Sequence, residues 1–521
     1  MSQYRYVMRV ALTVAMGGFL MGFDASVISG VVKFIELQFD LTKIELGWAV
    51  SSLTLTATLA MMLSGPLSDR IGRRKVLFLA AILYAVSAIA SALAPTFTIL
   101  VIARMIGGLG VGASLIIAPM YIAEIAPPKV RGRMVSFNQL NIVLGISAAF
   151  FTNYLILQLG QSDAGWARAL MLDQHSWRWM LGLETLPAVL YFIGLFFVPE
   201  SPRWLLLQGR DEEAGKILTR AVGEVEARQE LDEIRASLAR DAGREKASVR
   251  ELFAPAMKLV LTIGIVVAIV QQITGINAVF FYAPMIFEQS GIGTDASFAQ
   301  AVLVGLVNLV FTILAIAFVD RIGRRPLLIL GLSGIAVAMF VLSFGFHSAT
   351  YTITGDALEA LPAEVTVPAV ADLQGTTFDS DVEFKSGLRG ALGDELAARY
   401  ESDLINAAIA INPWLVLFGV LGFVAAFAVS LGPVMWVLFS ELFPNRIRGI
   451  AISFVGLINS AVSFSVQLVF PWELATLGSA TTFLVYGVFA ALGLVFVLMV
   501  LPETKGRSLE ELETILVKNP A

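Results

Sequence analysis

Asp24, in the run GGFLMGFDASVISG, is the residue whose chemistry most needs an explanation. A carboxylate inside an apolar segment costs roughly 2.5–3.5 kcal/mol to place in hydrocarbon, so such a group has a partner or a task. Arg104, inside the apolar window near 98–121, is the expected counterion. Burial works against the charged carboxylate, while a guanidinium beside it works in its favour. A movement that parts the two would make Asp24 take up or release a proton. The plainer alternative is a carboxylate hydrated at a membrane boundary.

A second set consists of carboxamides inside apolar windows: Gln139, Gln271, Gln272, Asn277, Asn308 and Asn459, with Trp436 beside them in logic. Carboxamides both donate and accept, so they bind hydroxyls without requiring a charged solute. An indole adds an apolar face for a sugar ring and one N–H donor. A single amide in a span is more often interhelical glue, but QQITGIN (271–277) concentrates three. Gly275 and Gly432–Pro433 would loosen their helices, as alternating access requires.

A third set is written twice. GPLSDRIGRRKVL (65–77) returns as AIAFVDRIGRRPLL (315–328), MYIAEIAPPKVRGR (120–133) as VLFSELFPNRIRGI (437–450), and PESPR (199–203) as PETKGR (502–507). Asp69, Arg73, Glu124, Arg131 and Glu200 thereby recur as Asp320, Arg324, Glu441, Arg448 and Glu503. Both signs gather at helix ends, where partly desolvated pairs can form when one side closes and part when it opens. That reads as a cytoplasmic gate; static anchoring of loops is the alternative.

The elements that must position these residues follow from composition. The chain is 57% apolar and 15% charged, against roughly 25% charged in soluble proteins. Apolar windows fall at about 6–30, 46–67, 76–94, 98–121, 134–157 and 178–198, then at 257–287, 297–319, 326–347, 411–440, 449–471 and 479–501. Each meets or comes within a residue of the ~20 residues needed to cross a bilayer. The expected architecture is an all-α membrane protein of twelve transmembrane helices in two pseudo-symmetric halves. Residues 1–200 form the first six-helix half, 201–250 a cytoplasmic helical linker, 251–501 the second half and 502–521 a tail. Arg70, Arg73, Arg74, Lys75, Lys129, Arg131, Arg133, Arg321, Arg324, Arg325, Arg446 and Arg448 crowd alternate loops, which places both termini and the linker in the cytoplasm. Arg5 and Arg9 before an apolar run resemble a signal peptide, but the run continues past Asp24 and reads as a retained span. The segment 348–409, with eleven acidic and three basic residues, faces outside as a small cap or a flexible loop, with partial order expected.

Several classes are excluded. The chain has no cysteine, so disulfides and thiolate chemistry are absent. His175 and His347 are far apart in sequence, which argues against a metal site, and no phosphate loop is present to use ATP. The net charge of −5 speaks against nucleic acid. No enzymatic constellation and no cofactor are expected. The partners expected are a small solute, protons and the bilayer, with the monomer as the working unit.

DRIGRR twice, PMYIAEIAPPKVRGR, PESPRW, QQITGINAVFFYAP, GPVMWVLFSELFPNRIRG and PETKG together resemble the sugar porter family of the major facilitator superfamily over nearly the whole chain. GFDASVISG is similar to the bacterial proton-coupled, xylose-type symporters. The resemblance implies the major facilitator fold, alternating access and monosaccharide binding between the halves, with Asp24 as the coupling residue opposite Arg104. It carries sugar-binding roles onto Gln139, Gln271, Gln272, Asn277, Asn308, Gly432 and Trp436. Three positions depart from the pattern: Phe281 precedes Tyr282 where the family has two tyrosines, Asn459–Ser460 stands for Gln-Trp, and Met21 replaces a phenylalanine. The pocket should be wider and less aromatic, so a hexose, a pentose, an inositol or another polyol all remain open. A proton-independent facilitator and a transporter-like sensor are the rival readings. A sensor would be expected to carry a long tail, where about 20 residues follow Leu501. A drug exporter would instead need an apolar cavity.

Overall fold

Lipid offers the backbone no hydrogen-bond partner, so a chain this apolar must satisfy its amides within helices. The computed structural model describes residues 2–505 apart from 129, 243–247, 356–360, 362–364, 366–367 and 445. The tail beyond Lys505 and the side chain of Asp320 lie outside the described residues.

Among the described residues, eleven helices are long and apolar enough to cross a membrane. The first half holds Ser2–Val27, Lys43–Ile71, Arg73–Ala92, Phe97–Ile125 and Arg131–Gly160. Its sixth span, expected over 178–198, comes in two pieces, Ser176–Gly182 and Thr185–Leu195. Pro187 explains the break: it has no N–H to give the carbonyl of Leu183, which accepts from Leu186 instead. Glu184 sits at this joint.

The second half repeats the plan. Its seventh span is Lys258–Ile273 followed by Ile276–Glu288, separated at Gly275 in the left-handed region (φ 92°). Gly293–Ile322 and Arg324–His347 follow. The tenth span breaks at Ser430 (φ −127°, ψ −96°) into Pro413–Val429 and Leu431–Leu442, two residues before the Gly432–Pro433 pair. Arg448–Thr476 and Gly478–Val500 complete the set. In the linker, Asp211–Val222 is amphipathic: Ala214, Leu218 and Ala221 are buried, and acids fill its first turn, where the helix dipole favours them.

The segment between the ninth and tenth spans is a folded cap. Strands β1 (Thr350–Thr352), β2 (Thr377–Phe378) and β3 (Ile409–Ala410) form an antiparallel sheet in the order β2-β1-β3. Tyr351, Phe384, Leu388, Leu404 and Ile405 give it a hydrophobic core of its own. The segment is therefore a small packed unit: Asp372, Glu383, Asp394 and Glu395 are exposed, while Asp381 is buried.

By contacts the chain divides into two compact units that do not follow the sequence halves. One contains Met1–Val27, Ser52–Ala149 and Arg178–Ser248; the other contains Ile28–Ser51, Phe150–Trp177 and Val249–Ala521. The first has a continuous apolar core through Val14, Tyr84, Ile117, Tyr121 and Tyr191.

Candidate functional site

Asp24 and Arg104 meet inside the first unit. Arg104 Nη1 donates to Asp24 Oδ1 at 2.6 Å and to the Asp24 carbonyl at 3.1 Å. The residues are 1% and 2% exposed. Gly107, one turn beyond Arg104, makes the room: a Cβ there would lie 2.7 Å from Asp24 Oδ2 and 2.5 Å from Ser87 Oγ. Asp24 Oδ2 and Arg104 Nε have no hydrogen-bond partner among the described residues.

The joint in the sixth span adds a third member that the residue-by-residue reading missed. Glu184 is 2% exposed, its Oε1 is unpartnered among the described residues, and it lies within electrostatic reach of Asp24 and Arg104. Two buried carboxyls thus share the surroundings of one guanidinium. The signal that picked out Asp24, an acid inside an apolar window, applied equally to Glu184.

The amides gather in the second unit, around the break at Gly275. Gln272 Nε2 donates to Gln271 Oε1 (2.8 Å) and Asn459 Oδ1 (3.2 Å). Asn459 Nδ2 donates to Gln271 Oε1 (2.7 Å) and the Ala268 carbonyl (2.9 Å). Asn277 Nδ2 reaches Gln272 Oε1 (2.9 Å) and Ser463 Oγ (2.7 Å). The shorter Asn459 therefore still closes the network. Gly275 is required here, because its positive φ lets the chain turn between Gln272 and Asn277, and the Tyr486 ring would lie 2.6 Å from any Cβ. Ser463 and Gln467, one and two turns beyond Asn459, extend the set: Gln467 Nε2 donates to Ser463 Oγ at 2.8 Å, and Tyr282 donates to the Gln467 carbonyl at 2.9 Å. Their i, i+4, i+8 spacing with Asn459 was the available clue.

The remaining candidates are less tightly joined. Trp436 is 47% exposed, and its ring edge approaches Gly456, one turn before Asn459. Asn308 is buried with no side-chain hydrogen bond among the described residues. Gly432 lies in the first turn of Leu431–Leu442 against Phe427. Gln139 is exposed on Arg131–Gly160 in the first unit and does not belong to the amide cluster. Phe281 and Tyr282 are both buried.

The repeated charges close within each unit on matching patterns. In the first, Arg73 binds both oxygens of Glu124 (3.1 Å each) and Asp69 Oδ1 (2.8 Å). Glu200 accepts from the Arg74 amide at 3.1 Å, and Ser201 donates to Glu124 at 2.5 Å. In the second, Arg324 pairs with Glu441 at 2.8 Å, Glu503 accepts from the amides of Arg324 and Arg325 at 3.1 Å each, and Thr504 donates to Glu441 at 2.6 Å. Arg131 and Arg448 each cap a carbonyl five residues back, at Ala126 (3.4 Å) and Phe443 (3.0 Å). The duplication thus extends to hydrogen-bond geometry, and each set ties helices of one half together.

Residues 10–357 and 400–516 match the family described as "Sugar (and other) transporter". The chain is 34% identical to the arabinose-proton symporter of Bacillus subtilis, over 98% of this chain and 96% of that one. It is equally 34% identical to the D-xylose-proton symporter of Escherichia coli K12, with the same coverage. The solved inward-open conformation of the xylose transporter of E. coli superposes with a TM-score of 0.74 at 32% identity, covering 98% of this chain and 100% of that one. With its duplicated helical halves, its buried ion pair and these likenesses along its full length, the chain belongs to the sugar (and other) transporter family and has the major facilitator fold.

Proposed function

We propose that the chain carries a monosaccharide or polyol across the membrane together with protons, by alternating access. The observation that carries this reading is the fully buried Asp24–Arg104 pair, whose second carboxylate oxygen is unpartnered among the described residues. A proton arriving on Asp24 weakens its hold on Arg104, which couples protonation to helix position. The amide cluster supports a neutral polyhydroxy solute, since it holds donors and acceptors without a lone charge. Its amides bond to one another, so solute hydroxyls can replace those bonds one for one at little net cost. The names of the relatives, an arabinose-proton and a xylose-proton symporter, support the same class. Gln139, Asn308, Gly432 and Trp436 complete the proposed solute site, and the two charge clusters act as the cytoplasmic gate. The basic loops support cytoplasmic termini, the bacterial relatives support a bacterial inner membrane, and the monomer is the working unit.

Purified protein in vesicles with an alkaline interior should accumulate D-xylose, D-glucose or myo-inositol, and a protonophore should abolish the accumulation. Asp24→Asn should lose accumulation and keep exchange of labelled for unlabelled solute. Uphill uptake that survives Asp24→Asn would refute the coupling role. A thermal-shift screen over pentoses, hexoses and cyclitols then identifies the solute.

A further inference from the structure

We propose that the cap between the ninth and tenth spans is a latch on the membrane side opposite the Arg-rich loops, with Glu401 as the positioning residue that holds that side shut. The inference rests on the alternating-access reading above.

The starting point is the composition of the second unit. Ile28–Ser51 and Phe150–Trp177 come from the first half of the sequence, yet they pack with Val249–Ala521. Lys33 Nζ binds Glu288 Oε1 at 2.9 Å and Thr294 Oγ1 at 2.6 Å, Gln161 Nε2 donates to Asp295 at 2.7 Å, and Trp48 meets Phe464 edge-on at 6.1 Å. A carrier that alternates must part these contacts once per cycle, so whatever strengthens them sets how readily that side opens.

The cap is bolted to the second-half spans. Asp381 Oδ2 accepts from the amide and hydroxyl of Ser479, 3.0 Å each, at the start of the twelfth span. Lys385 Nζ donates to Gln289, just past the seventh span, at 2.7 Å. From that base the cap presents Glu401, paired with Lys385 at 3.1 Å and accepting from Gln289 Nε2 at 3.4 Å. Glu401 shares a small cavity with Lys43, Lys385 and Arg389. Lys43 is the first residue of the second span and is paired with Glu36 at 2.5 Å.

Charge decides what Glu401 does. Three cations, Lys43, Lys385 and Arg389, converge on the cavity, and Glu401 is the carboxylate on the cap that faces them, with Glu36 behind Lys43. Glu401 therefore joins the second span, from the first half of the chain, to a cap carried by the second half. Neutralising it leaves Lys43, still paired with Glu36, facing Lys385 and Arg389 without a cap carboxylate between them, and the net repulsion favours parting the two.

The lack of native cysteine makes this directly testable. Ser51, fully buried two turns beyond Lys43 on the same helix, is replaced by Ser51→Cys as the only thiol. In that background Glu401→Gln and Lys43→Gln should each raise labelling by a membrane-impermeant maleimide severalfold, and the double variant should be labelled no faster than either single one. Glu383→Gln, on the exposed face of the cap, should leave labelling unchanged. Unchanged labelling in both single variants, or rates that multiply in the double variant, would overturn the latch. Sugar exchange measured on the same vesicles separates the two ideas: its absence in the Ser51→Cys parent counts against the transport reading, not against the latch.

Discussion

At the scale of single residues, the Asp24–Arg104 pair carries the largest consequence. Removing one partner of a buried pair strands the other charge, which typically costs about 3–5 kcal/mol. Arg104→Gln should therefore lower the unfolding temperature in detergent at neutral pH. Asp24→Asn combined with Arg104→Gln should recover part of the loss, because Asp24 is then no longer stranded and Glu184 alone lacks its counter-charge. A double-mutant cycle on thermal unfolding checks this, and additive losses would contradict the pairing. The amides act on affinity instead. Gln272→Ala removes the partner of Gln271, Asn277 and Asn459 together. A loss near 1.4 kcal/mol would raise the half-saturating sugar concentration about tenfold. Ser463→Ala should do the same more weakly, and solute titration in proteoliposomes measures both.

At the scale of elements, the seventh span matters most, because its break carries three of the amides. An alanine in the left-handed region costs about 1–2 kcal/mol, and at position 275 its Cβ would also press on the Tyr486 ring. Gly275→Ala should lower both stability and sugar affinity. Adding Tyr486→Ala relieves the steric part and leaves the backbone part, so affinity should return only in part. Full recovery would mean that the left-handed turn is dispensable. The sixth span makes the complementary point: a helix interrupted at Pro187 sets Glu184 at a joint, within electrostatic reach of the Asp24 pair.

At the scale of the whole molecule, the cap should withstand acid well below the ordinary carboxylate range. Burial pushes the Glu401 carboxyl up, but Lys385 and Lys43, with hydrogen bonds from Lys385 and Gln289, outweigh it and hold it at about 2. A carboxyl depressed on folding adds stability that is fully present above its unfolded value, near 4.3, and is lost as pH falls towards about 2; here that is ~3 kcal/mol. Melting curves of the wild type and Glu401→Gln should differ by a constant amount above pH ~5 and converge towards pH ~2; a gap that persists there would contradict the assignment.

The spans, the internal repeat and the meeting of Asp24 with Arg104 were legible in the sequence because each rests on a local rule. A window of about 20 apolar residues crosses a bilayer, a repeated motif folds alike twice, and opposite charges in hydrocarbon must find each other. Tertiary structure alone decided which distant residues share a surface. It brought Glu184 to the ion pair and Ser463 and Gln467 to the amides, gave the acidic segment a core around Tyr351 and Phe384, and set Glu401 across a cavity from Lys43. Apart from the Ser463–Gln467 step of one helical turn, those contacts join residues tens to hundreds of positions apart, and the rotation of each helix that makes them depends on packing against all its neighbours.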